Sequence, residues 1–147
     1  MVDFRTGRNE LRIAGGIVAG ILVGVAVIFA VEIAGHQIYP MREVDLRDSE
    51  AVAALIAALP TGAFLFVVGA WLVAAFAGGL TASLVSGRVW PAWLIGALVA
   101  AAGVANVFMF PHPTWMQLAA VIAPAIGAAV AGHVARGRIA AQSDGSA

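Results

Sequence analysis

Residues 89–135 read VWPAWLIGALVAAAGVANVFMFPHPTWMQLAAVIAPAIGAAVAGHVA, 47 positions whose only titratable side chains are His112 and His133. As one straight α-helix this stretch would be about 70 Å long at about 1.5 Å per residue. That is more than twice the roughly 30 Å hydrocarbon thickness of a bilayer. Pro111-His112-Pro113 cannot sit inside a regular helix, because the prolines withhold N–H donors and clash with the preceding turn. The stretch therefore divides into two membrane crossings, 91–110 and 114–135, joined at that turn. Pro124 is placed to kink the second crossing.

The same arithmetic works upstream. Residues 51–87 contain 37 positions without a formal charge, about 55 Å of helix if unbroken. Pro60-Thr61-Gly62 is the natural break. It leaves a span at 61–86 and a short helix at 49–59, capped by Asp48 or Ser49. Val52, Leu55, Ile56 and Leu59 form one apolar stripe on that helix, which suits the outer face of the bundle or the membrane interface. Residues 13–31 are 19 positions without a charge, longer than the roughly 7–15 apolar residues of a signal peptide. Glu32 and His36 also make a poor cleavage site, so this segment reads as a retained span, 13–36. The predicted fold is all-α: an integral membrane four-helix bundle forming one domain over 1–141, with a polar, disordered tail at 142–147.

Composition supports a membrane protein. The chain is 62% hydrophobic and 11% charged, against roughly 25% charged residues in soluble domains, and its mean hydropathy is +0.97. Formal net charge is zero, so no basic field exists to hold nucleic acid. The absence of Cys excludes disulfides, thiolate metal sites and thiol catalysis. All eight basic residues are Arg, and six of them (Arg5, Arg8, Arg12, Arg88, Arg136, Arg138) fall on one side of a four-span topology. Arg42 and Arg47 fall on the other. The positive-inside rule then predicts cytoplasmic termini in the inner membrane of a bacterium, with Glu43, Asp45, Asp48 and Glu50 in an acidic outer loop. Trp90 and Trp93 fit an inner aromatic belt and Trp115 an outer one.

Each span carries a small-residue face. Gly16, Gly20 and Gly24 recur at four-residue spacing in the first; Ala75, Gly78, Gly79 and Ala82 lie in the second. Gly96, Ala100 and Gly103 mark the third, and Gly127, Ala128, Ala131 and Gly132 the fourth. Such faces let backbones approach closely. They serve either packing within one bundle, the favoured reading, or a homo-oligomer through the first ridge.

Polar residues near hydrocarbon need a partner or a task. Glu32, His36 and Tyr39 occupy i, i+4 and i+7, one helical face, although Pro40 disfavours helix at Tyr39. Asn106 and His112 end the third span on the same outer side. A helix C-terminus disfavours a carboxylate, so Glu32 is expected to be protonated or paired with an imidazolium or with Arg42. Two readings follow. In one, Glu32, His36, Asn106 and His112 form a hydrogen-bonded clasp between helices. In the other, Glu32, His36 and His112 form a metal or proton site, with Tyr39 and Asn106 in support; carboxylate and imidazole suit Zn²⁺ and other divalent metals. Met41, Met109 and Met116 would favour Cu(I), though methionine more often fills gaps. His36 and His112 could also ligate a haem, and a Glu–His pair could act as a catalytic base, yet no nucleophile or protease motif accompanies it. His133 reads as an interfacial residue beside Arg136.

The segments Glu32-Ile-Ala-Gly-His-Gln-Ile-Tyr-Pro40, Asn106 and Pro111-His112-Pro113-x-Trp115 resemble small four-span bacterial membrane proteins of unknown activity. That resemblance implies the topology and an outer polar cluster. Small multidrug-resistance transporters offer a weaker analogy, since their glutamate lies nearer mid-membrane in a shorter chain. The expected function is a non-enzymatic membrane protein embedded in the lipid bilayer. Its outer polar site would bind a metal ion or proton, coupled to movement of a small solute. The alternative is a structural or partner-binding protein whose polar cluster is only a clasp.

Overall fold

The computed structural model describes the backbone of residues 4–40, 43–45 and 47–144, with side chains from Gly7 to Gln142 within those ranges. Five helices follow one another: α1 (Phe4–Ile38), α2 (Ser49–Ala57), α3 (Thr61–Ser86), α4 (Trp90–Met109) and α5 (Thr114–Asp144). Four are long and apolar enough to cross a membrane, and no strand occurs among the described residues. The spans match the sequence reading, with two extensions. α1 begins ahead of residue 13, and α5 runs past 135 to Asp144, so the first residues of the expected tail are helical. Ala140, Ala141 and Gln142 are good helix formers that carry it on. The rest of that tail, 145–147, lies outside the described residues.

The breaks fall where backbone chemistry demands them. α3 starts after Pro60 and stops at Gly87, whose φ of 68° is open to glycine at little cost. There the Arg88 N–H donates to the Ser83 carbonyl at 3.2 Å, closing the last turn. Arg12 of α1 reaches the neighbouring Val85 carbonyl at 3.5 Å, a cation at a helix C-terminus. Pro91 sits in the first turn of α4, where its missing N–H costs nothing.

Asp48, not Ser49, caps α2: its carboxylate accepts from the backbone N–H groups of Glu50 at 3.0 Å and Ala51 at 3.1 Å. Asp48→Ala should therefore cost about 1 kcal/mol of α2 stability. Amide hydrogen exchange should show that loss as faster exchange confined to 50–57, with the spans unaffected. Val52 is buried, and Ile56 and Leu59 pack against the core, so the expected stripe is the inward one.

α3 is the hub. It packs against α1, α4 and α5, while α4 and α5 pack on each other. α1 rests almost wholly on α3, meets α4 only slightly and, among the described residues, does not meet α5. The glycine ridge of α1 is consumed in this contact. A Cβ built on Gly16 would lie 2.8 Å from the Ala82 carbonyl oxygen, and one on Gly20 would lie 2.6 Å from that of Gly78. Both approaches are to backbone, so no side-chain shift relieves them. α3 and α5 close in the same way: a Cβ on Gly127 would collide with the Leu72 carbonyl oxygen. The small faces thus serve the bundle.

Candidate functional site

The antiparallel register of α1 on α3 persists from Gly16, beside Ala82 and Ser86, to Tyr39, beside Gly62. What changes along it is the material between the axes. Toward the chain termini the ridge of α1 meets backbone atoms of Ala74, Gly78 and Ala82; toward α2, Gly35 meets the Phe66 ring and Gly62 meets the Tyr39 hydroxyl. Rings hold helices further apart than bare backbone does. At this α2 end, where rings stand between the helices, lies a cavity of about 320 Å³.

Its walls are mostly apolar. α3 supplies Phe64, Phe66, Val67 and Trp71, α2 and its following turn supply Ile56 and Leu59, and α4 supplies Phe110 at its C-terminal cap. The polar groups are Glu32, His36 and Tyr39 from α1 and its end, Asn106 from α4, and His112 from the Pro111–Pro113 turn. All five polar residues singled out in the sequence line this one cavity. Tyr39 remains there despite Pro40, because its N–H still donates to the Gly35 carbonyl at 2.7 Å and its ring meets Phe66 edge-on at 6.4 Å.

The hydrogen bonds depart from the clasp reading. His36 Nδ1 lies 2.8 Å from the backbone carbonyl oxygen of Glu32, and His112 Nδ1 lies 3.0 Å from that of Phe110. A carbonyl only accepts, so in each ring Nδ1–H is the donor, and Nε2 of the neutral imidazole is left as an acceptor. At i+4 the short imidazole arm reaches back to the Glu32 backbone rather than to its carboxylate. Among the described residues no hydrogen bond joins Glu32, His36, Asn106 and His112 to one another, so the expected clasp is not formed. Nor do three His, Asp or Glu side chains among the described residues converge as a ligand set for a metal ion. Spacing along a helix put these groups on one face; it did not bring atoms on separate helices within coordination distance.

Met116 is fully buried in the apolar core and Met109 is exposed, and neither lines the cavity. Met41 and Arg42 lie outside the described residues, as does the side chain of Arg5. His133 is exposed on α5 and is no part of the cavity.

A second cavity of about 420 Å³ lies between α2 and the α4–α5 turn, reaching Thr61, Pro113 and Trp115. Ile56, Leu59, Phe64 and His112 line both cavities and so stand between them. Phe64 and Phe110 each meet the His112 ring edge-on, at 6.1 Å and 6.3 Å, fixing it in that partition.

Sequence reasoning found the polar groups and missed the aromatic ones. Trp71 carried a usable signal: it sits well inside a span, whereas tryptophans not engaged in packing collect at the interfaces. Phe64 and Phe66 carried none, since phenylalanine is common in spans. Comparison with protein-family models, with curated proteins and with solved structures yields no match for this chain.

Proposed function

We propose that this is a non-enzymatic protein of a bacterial inner membrane, with cytoplasmic termini, that takes a small solute into the cavity at the outer end of its bundle. The observation that carries the reading is the meeting of Glu32, His36, Tyr39, Asn106 and His112 on one largely aromatic and aliphatic cavity. Apolar walls with a few convergent polar groups are the usual composition of small-molecule sites, and about 320 Å³ is at the lower end of their range. The second cavity supplies the solute's path from the aqueous side, and His112 with Phe64 forms the partition it crosses. Glu32 and His36 are the groups that exchange a proton with the solute or with water as it moves. A metal ion in their place would need a ligand beyond Glu32, His36 and His112.

The test is equilibrium binding to the full chain in lipid nanodiscs, using three probes of one shape: 2-phenylethylamine, 2-phenylethanol and phenylacetate. Saturable binding of at least one probe is expected. Ala63→Phe, which places a ring in the cavity wall, should weaken that binding by more than about tenfold, the scale of one lost buried contact. Binding unchanged in Ala63→Phe would place the solute elsewhere, and no saturable binding of any probe would overturn the reading.

A further inference from the structure

Building on the cavity reading, we infer that the solute is an amphipathic amine: an apolar, preferably aromatic, body carrying a protonated nitrogen. The balance of acceptors over donors in the cavity points there. Its one acidic residue is Glu32, and no arginine is among its described lining residues. The two imidazoles have spent their Nδ1–H donors on the backbone carbonyls of Glu32 and Phe110, so each ring in its neutral form presents Nε2 as an acceptor. Asn106 adds an amide oxygen. Against these acceptors stand three side-chain donor groups, the Tyr39 hydroxyl, the Asn106 amide NH₂ and the Trp71 indole N–H.

A site rich in acceptors, whose glutamate needs a cationic partner to be held ionised beside apolar walls, selects a ligand rich in donors and positively charged. An anion would face Glu32, and among the described lining residues there is no arginine to compensate. A sugar would leave most of its hydroxyls against apolar wall, each unmade hydrogen bond carrying a desolvation cost. The walls point the same way. Phe64, Phe66, Trp71 and Phe110 present ring surface, and a cation is attracted to an aromatic face as well as to a carboxylate. The ligand's apolar body would replace lipid or poorly held water against these rings, while its nitrogen stays near the Glu32 side.

The same three probes separate the class from the site. In the wild-type protein 2-phenylethylamine should bind at least about tenfold more tightly than 2-phenylethanol, the scale of a charge-assisted hydrogen bond, and phenylacetate should bind weakest. Glu32→Gln keeps the side chain's shape and removes its charge. It should cut amine binding by about tenfold and the alcohol's by less, so that the preference for the amine collapses. Equal binding of amine and alcohol, or preference for the acid, would overturn the amine assignment and leave the cavity reading standing. An amine preference undiminished in Glu32→Gln would also overturn it, because the charge would then be met elsewhere. Absence of binding by all three probes would overturn the cavity reading itself. Because the probe comparison is made in the unaltered protein, it decides the matter even if a variant folds poorly.

Discussion

Gly20→Leu is expected to lower the unfolding free energy by about 2–4 kcal/mol, an overpacking effect that no rotamer can relieve. Even the first added carbon would stand 2.6 Å from the Gly78 carbonyl oxygen and 2.7 Å from the Ala82 Cβ. The obstacle is backbone, so α1 and α3 must separate along their closest stretch. The neighbouring Gly15→Leu is the control: a Cβ there meets nothing within 4 Å. It should change stability by less than about 0.5 kcal/mol. Denaturant-driven unfolding in mixed detergent micelles measures both. The pair also separates the two uses of a glycine ridge. If the ridge served a homo-oligomer, Gly20→Leu would release folded protomers. Since α3 already occupies it, loss of stability within the protomer is expected, and a monomeric Gly20→Leu protein of undiminished stability would refute this packing.

Trp71→Ala is expected to cost about 2–3 kcal/mol, somewhat below the roughly 3–5 kcal/mol seen for large aromatic residues in water-soluble cores. The reduction has a physical reason. In a bilayer the unfolded helices also lie in hydrocarbon, so transfer from water contributes little and the loss is mainly of van der Waals contact. Trp71 is only 6% exposed. Its ring lies 3.4 Å from where a Gly103 Cβ would be, so it fills the space between α3 and α4 while forming part of the cavity wall. The substitution should enlarge the cavity as well as loosen the helices. The naphthyl homologue of the amine probe should then gain affinity relative to 2-phenylethylamine, and Trp71→Phe should lose less than half as much stability. A stability loss below about 0.5 kcal/mol in Trp71→Ala would mean that the helices close over the vacated volume.

Most of the bundle was legible in particular residues. Pro60, Gly87 and Pro111–Pro113 break an otherwise helical chain because each denies the backbone a helical hydrogen bond or conformation there. Asp48 announced α2, and its stripe of Val52, Ile56 and Leu59 faces inward as the spacing required. Helix ends were less legible: Arg136 and Arg138 mark where α5 leaves its apolar stretch, but nothing there stops the helix, since Ala and Arg favour helix in either setting. For the site, Glu32, His36, Tyr39, Asn106 and His112 stood out because ionisable and amide groups near hydrocarbon are costly. Their company did not. Phe64, Phe66 and Trp71 are ordinary residues for a span, and only the packing of the helices around the cavity makes their rings its walls.

The division has one cause. Bilayer thickness, proline geometry and the cost of buried charge act on single segments, so the spans, the breaks and the polar residues that demand explanation follow from the residues alone. Relations between segments depend on how closely helix axes approach, which the sum of many small contacts sets. Only the packed bundle shows that the Gly16–Gly20–Gly24 ridge meets α3 within the chain. The same packing leaves the histidines bonded to backbone carbonyls rather than to each other or to the Glu32 carboxylate, and brings five polar groups from separate segments to one cavity without forming a clasp.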